Sequence, residues 1–251
     1  MKVLVVCMFL LATCSGLGQG KAVPSEPIVT DRPDFTESAL VVPYRWMQIE
    51  TGLTYQWTRQ SFSLGLPETL FRISTGLKSE LRLGLPDFGW ANSNGSRSNG
   101  IGDTYIGAKF QLGPFENGDE FALIPAVTLP SRASGFSSGS VDPELKVCWG
   151  RALSDVWGVS AMAYGLYTSD EFGSVFVFQQ TLSFGKAISS RSAVFFEYAG
   201  SFAARMMSTH VLHAGVAYRT SPNSQFDLHA GFTMNGSDRE PFLAAGYSIR
   251  Y

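Results

Sequence analysis

Imidazoles are the side chains best suited to binding a metal or moving a proton near neutral pH, and the sequence has three, His210, His213 and His229. His213 and His229 fall on the same predicted face of neighbouring extended runs, with Asp227 beside them. Two imidazoles and a carboxylate could begin a metal site or orient a ligand. Polar lining of an interior explains them with fewer assumptions, so no metal and no cofactor are expected. Gly135-Phe136-Ser137-Ser138-Gly139 has the spacing of a nucleophile elbow. That chemistry needs a strand, a sharp turn and a helix, with an acid and a histidine following. Here the match sits in a Ser/Gly-rich loop followed by another extended run, so no catalytic residue is expected. Gly100-Ile101-Gly102 is no phosphate cradle, because the next glycine is Gly107 and no helical pattern follows. Cys7 and Cys14 lie in the N-terminal leader, and Cys148 alone can form neither an internal disulfide nor a cysteine-rich metal site.

The charged residues predicted to face inward are Glu50, Arg72, Arg82, Asp103, Lys109, Glu144, Lys146, Glu197, Arg219, Asp227 and Arg250, joined by His213 and His229. They carry both signs. Buried charge is costly without a partner, so mixed signs in a narrow interior imply ion pairs across it. A pore selective for one ion sign would more naturally carry a one-signed ring. A wide, freely open porin is therefore disfavoured against a narrow or gated conduit or a closed barrel.

The elements that position these groups read as strands. Met47, Ile49, Leu53, Tyr55 and Trp57 share one face of the first run, and Gln48, Glu50, Gly52, Thr54 and Gln56 share the other. Further strands are expected near 68–77, 79–87, 101–112, 120–130, 142–152, 157–168, 175–186, 191–202, 209–219, 225–234 and 241–251, most of them about ten residues long, as a tilted membrane-crossing strand requires. Longer links are expected at 59–67, 88–100, 131–141, 169–174, 203–208 and 235–240. Shorter ones fall near 77–79, 153–156, 187–190 and 220–224. Long loops at one end and short turns at the other characterise outer-membrane barrels. Leu243, Ala245, Tyr247, Ile249 and Tyr251 alternate to an aromatic last residue, as in a closing strand that barrel-assembly machinery recognises. The expected fold is all-β: a transmembrane antiparallel up-and-down barrel of about twelve strands, with both termini periplasmic.

Lys2 followed by the apolar run Val3–Ala12 and small residues reads as an export signal over 1–20. Thr13 before Cys14 fits a lipoprotein box poorly. Residues 21–43 are proline-rich and read as a periplasmic tail or a plug, followed by the barrel over 44–251. Within that segment Asp31, Arg32, Asp34 and Glu37 concentrate charge that could meet Arg72, Arg82 or Lys109 inside the barrel. A net charge of −2 gives no reason to expect nucleic acid. No apolar stretch beyond the N-terminus is long enough for a membrane helix. The expected location is the outer membrane, with lipid, the assembly machinery and an unidentified small molecule as partners.

Thr30-Asp31-Arg32-Pro33-Asp34-Phe35-Thr36-Glu37-Ser38, then Val42-Pro43 and Gln48-Ile49-Glu50-Thr51-Gly52, resembles the opening of the barrel family named for a putative MetA pathway of phenol degradation. The stretch from Gly100 to Lys109 and the strand end Leu129-Pro130 resemble later parts of that family. The resemblance implies an outer-membrane barrel and uptake of small, often aromatic or hydrophobic compounds. It supplies no catalytic or ligand motif. A transporter would have a lumen lined by groups such as Phe195 and Tyr164. A structural or binding barrel would be packed shut. A membrane hydrolase would bring a serine, a histidine and an acid together.

Overall fold

The computed structural model describes residues 26–133, 135–170, 173–204, 206–234 and 239–251. The expected signal peptide lies outside them. Alternating apolar and polar side chains are accommodated by one antiparallel sheet closed on itself. Its strands are β1 (Met47–Trp57), β2 (Ser61–Ser74), β3 (Ser79–Leu85), β4 (Phe88–Ser93), β5 (Ser96–Ile101), β6 (Thr104–Gln111) and β7 (Asp119–Leu129), then β8 (Asp142–Ala152), β9 (Trp157–Asp170), β10 (Gly173–Ala187), β11 (Ser192–Ala203), β12 (Thr209–Ser221), β13 (Ser224–Thr233) and β14 (Pro241–Arg250). Closure comes from β1, which pairs with β14 through Ile49↔Ile249 and Tyr55↔Leu243 and with β2 on its other side.

Fourteen strands occupy twelve positions around the barrel, because β3 and β4 follow one another along β2 while β6 and β5 follow one another beside them. The barrel is therefore twelve-stranded, with two positions each broken into two segments. The breaks fall at Pro86-Asp87 and Gly102-Asp103, next to a bulge at Leu66-Pro67 in β2. Proline cannot donate to a ladder, so such residues sit at bulges and breaks. No pairing joins residues 67–68 to 86–87.

The links expected at 59–67 and 88–100 are mostly strand. Two signals explain the difference. Alternation slips by one residue at the bulge: Leu64 and Phe62 lie opposite outward Tyr55 and Trp57, whereas Phe71 lies opposite outward Ile49. A bulge that adds one residue produces this slip and hides a continuous strand from period-2 reading. The second is Asn94-Gly95, both at positive φ (52° and 85°), which form a two-residue hairpin turn between Ser93 and Ser96.

The outward faces are apolar and exposed, including Leu53, Phe178, Leu182, Phe196, Val216, Leu228 and Leu243. In the closing strand, Leu243, Ala245, Tyr247 and Ile249 share this face, and Tyr251 exchanges backbone hydrogen bonds with Met47. The buried apolar cluster inside the barrel is small: Ala122, Ile124, Cys148 and Met162 pack with Ala39 from the N-terminal segment.

Candidate functional site in the barrel interior

Alternate positions on each strand send their side chains to one face, so the polar parity of the sequence becomes the interior wall. β1 contributes Gln48 and Glu50, β2 Arg72, β3 Glu80 and Arg82, and β6 Lys109. On the other side of β14 stand Asp227 and His229 of β13, His213 of β12 and Glu197 of β11, all buried. A buried charge this size needs partners, and residues 28–43 supply them from inside the barrel.

This segment enters and leaves at the same end, where β1 starts and β14 finishes. Ile28 N–H donates to the Pro222 carbonyl (2.8 Å) in the β12–β13 turn. The Val29 carbonyl accepts from Gln48 Nε2 (2.8 Å), and both Asp31 N–H and Arg32 N–H donate to the Glu50 carboxylate (3.0–3.1 Å). At the apex, Phe35 N–H (2.7 Å) and Thr36 N–H (2.8 Å) donate to the Glu197 carboxylate of β11. The Thr36 hydroxyl bonds Glu197 as well and lies 2.5 Å from the Thr181 hydroxyl of β10. On the return, Arg72 donates to the Leu40 carbonyl (2.8 Å) and Val42 N–H donates to Glu80 (2.7 Å).

Ion pairs fix the same path. Asp31 lies 2.6 Å from Arg82, 2.9 Å from Lys109 and 3.3 Å from Arg72. Glu37 lies 2.7 Å from both Arg82 and Lys146. Arg32 reaches Glu68 at 3.2 Å and Asp227 at 3.5 Å. Its guanidinium passes over Gly52 and Gly246, which are register partners. A Cβ would lie 2.5 Å from it at the first and 2.3 Å at the second, so no larger residue fits either position without displacing Arg32.

The segment's carboxyls differ in character. Burial would raise Asp31, but Arg72, Lys109 and Arg82 outweigh it and hold the group well below the usual carboxylate range. Burial likewise opposes ionisation of Glu37, and Arg82 with Lys146 brings it down to about 2. Asp34 has no such cation. Burial pushes it up to about 8, and the Glu197 carboxylate adds to the shift.

Two cavities flank the segment, one of about 390 Å³ and one of about 250 Å³, and Arg32 and Asp34 line both. Phe35, Leu70, Leu85, Arg82 and Asp87 also line the larger, beside the broken ladder. Val29, Pro33, Phe195, Arg191 and Arg219 line the smaller. At the other end of the barrel the β7–β8 loop brings the Phe136 ring against Gly89 and Gly100, where a Cβ would lie 2.3 Å and 2.7 Å from it.

The remaining sequence-predicted residues fall around this centre. Asp103 sits in the β5–β6 break and accepts from Ser131 N–H and Ser138 N–H (2.8 Å each), so it fastens the β7–β8 loop. Glu144 accepts from the Tyr164 hydroxyl (2.5 Å) and lies 3.6 Å from Lys146. Arg219 and Arg250 are at the rim. Arg219 donates to Ser190 O (2.9 Å), and Arg250 to Asn223 Oδ1 (2.8 Å) and Glu26 O (2.9 Å). His213 Nε2 bonds Glu197, its Nδ1 lies 3.4 Å from that of His229, and Phe35 packs on its ring at 4.2 Å. Among the described residues no group of three ligating side chains could hold a metal ion. The Ser137 hydroxyl of the elbow-like match accepts from backbone N–H of Arg132 and Gly139 (3.1 Å each), while all three histidines are on β12 and β13.

Several residues of the site were not among the sequence candidates. Glu80 joins Arg72, Arg82 and Val42 N–H. It shares strand parity with Arg82, so the signal was present. Phe35 and Thr36 carry no comparable signal, because their segment is not periodic.

The fold recurs in solved structures. An outer-membrane channel from Pseudomonas putida F1 matches with a TM-score of 0.65 at 14% identity, covering 92% of this chain and 100% of that one. The NanC porin matches with a TM-score of 0.58 at 11% identity, covering 80% and 98%. A KdgM porin in complex with disordered oligogalacturonate matches at 0.56 and 10%, with the same coverage. No curated protein matches the sequence. The family model described as putative MetA-pathway of phenol degradation matches residues 30–251, which include the interior segment from Thr30 and every strand of the barrel. The chain belongs to that family.

Proposed function

We propose that this protein is an outer-membrane channel for small compounds, closed at rest by its own N-terminal segment, and that it has no catalytic role. The observation that carries this is the course of residues 28–43 between two interior cavities, held to the wall by Glu50 of β1 and by Glu197 of β11, four strand positions away. A closed sheet with an exposed apolar outer face supports a membrane setting, since lipid offers no partner for an open edge. The export signal and the short-turn end where β1 begins support a periplasmic position for both termini. Phe35, Leu70 and Leu85 in the larger cavity favour cargo with an apolar part.

Planar bilayers provide the test. The intact protein is expected to show little steady conductance with brief openings. A large, stable conductance would overturn the closed resting state and favour a general porin. Fractionation of the native host should place the mature chain in the outer membrane, and recovery as soluble periplasmic protein would rule out the channel altogether.

A further inference from the structure

Asp31 and Glu37 do not belong to the barrel wall, yet they satisfy most of its cations. Every hydrogen bond of the Lys109 ammonium among the described residues goes to the segment: to both Asp31 oxygens (3.0 and 2.9 Å) and to the Ser38 carbonyl (2.9 Å). Among the described residues Lys146 has Glu37 at 2.7 Å, the Glu144 carboxylate at 3.6 Å, and the Tyr105 and Tyr164 rings with centroids at 5.2 and 5.1 Å. Arg82 keeps Glu80 on the wall but gives its other contacts to Asp31 and Glu37, and its Nε has no hydrogen-bond partner. The wall acids replace these partners only in part: Glu144 keeps one oxygen without a hydrogen bond 3.6 Å from Lys146, and Glu50 is relieved of the segment's N–H groups. Glu80 already receives Arg72 and Arg82, and Glu50 receives Arg72 and Gln48. Withdrawing the segment thus leaves three cationic groups facing the interior with too few acceptors. Leaving them bare is costly. The segment departs most readily when another anion takes its place.

The larger cavity lies where that exchange would begin. Asp31, Glu37 and Arg82 line it together with Phe35, Leu70 and Leu85. A solute held there meets the Arg82–Asp31 and Arg82–Glu37 pairs together with apolar surface. Arginine binds carboxylates in a fixed fork, and lysine adds a point charge beside it.

We propose that Arg82, Lys109 and Lys146 form a carboxylate-binding site, which Asp31 and Glu37 occupy at rest, and that the cargo is a small organic anion with an apolar ring that displaces Glu37 and then Asp31. This rests on the channel reading above and adds the cargo's charge and the means of opening. The segment is a tethered stand-in for the ligand.

Hydrogen exchange at the Asp31, Arg32 and Thr36 amides of the intact protein in detergent reads release of the segment without requiring current. Sodium benzoate, benzyl alcohol and benzylammonium chloride are compared at equal ionic strength. Benzoate at ten times its dissociation constant is expected to speed exchange roughly tenfold by mass action. The neutral and cationic analogues are expected to have no effect. In Lys146→Met the segment exchanges faster throughout, but benzoate loses its advantage over benzyl alcohol. Equal effects of benzoate and benzyl alcohol on the unaltered protein would overturn the proposal, as would an advantage for benzylammonium. Bilayer recordings with the same three compounds separate the two readings. Benzoate-driven release without current keeps the site and removes the conduit. Openings insensitive to benzoate keep the conduit and remove the site.

Discussion

Glu197→Gln changes one atom and should loosen the whole segment. The carboxylate receives Phe35 N–H and His213 Nε2 on one oxygen, and Thr36 N–H and the Thr36 hydroxyl on the other. Glutamine keeps one acceptor oxygen and places an NH₂ where the second was. Whichever way the amide turns, one backbone N–H of the apex faces a donor and the other loses a charged acceptor. A hydrogen bond to a charged group contributes about 1.5–3 kcal/mol. At 1.36 kcal/mol per factor of ten, the undocked population should rise roughly 10- to 150-fold. Hydrogen exchange resolves this directly, because protection of the 29–38 amides reports local opening rather than global unfolding. Strand amides of β9 and β10 serve as the reference and should keep their protection. Unchanged exchange at Phe35 and Thr36 would refute the assignment of Glu197 as the clasp of the apex.

Three further outcomes follow from the same geometry. Asp34, raised to about 8 when docked against an ordinary 3.8, contributes docking stability that is complete below about pH 4 and lost as pH rises through about 8, so channel opening should increase from pH 5 to 9 and flatten in Asp34→Asn. Asp31 and Glu37 act in the opposite sense: both are lowered, Glu37 to about 2, so their contribution is present above the ordinary carboxylate range and lost as pH falls below it, and acid below pH 4 should also release the segment, as read by exchange quenched from that pH. Val216→Arg, on the exposed outer face of β12, should cost about 2–4 kcal/mol of folding stability in lipid vesicles if it meets the bilayer midplane, whereas a change within about 0.5 kcal/mol would mean that this face meets water.

The wall was more legible in the sequence than what fills it. Period-2 alternation identifies inward Glu50, Arg72, Lys109 and Glu197 because lipid outside and polar interior inside impose opposite demands on successive residues. The same rule fails at Pro67, where the bulge shifts the parity, so 59–67 and 88–100 read as links although Asn94-Gly95 marks a hairpin turn. The interior segment obeys no period. Its charges suggested partners, and the structure brings Asp31 to Arg72, Arg82 and Lys109. Sequence alone gave no means of seeing that Phe35 and Thr36 reach a carboxylate 161 positions away from Thr36. That contact is set by how the sheet closes around the segment, which belongs to the whole barrel rather than to any local stretch.

A reversible lock tests the closed state most directly. The hydroxyls of Thr36 and Thr181 lie 2.5 Å apart, close to the ~2.05 Å separation of disulfide sulfurs. Thr36→Cys with Thr181→Cys should therefore tie the segment to β10, while Cys148, fully buried, stays apart. Oxidised protein in a planar bilayer at pH 9 is predicted to stay silent, and reductant added to the same membrane should produce channel openings. Equal conductance before and after reduction would contradict the claim that residues 28–43 close the barrel.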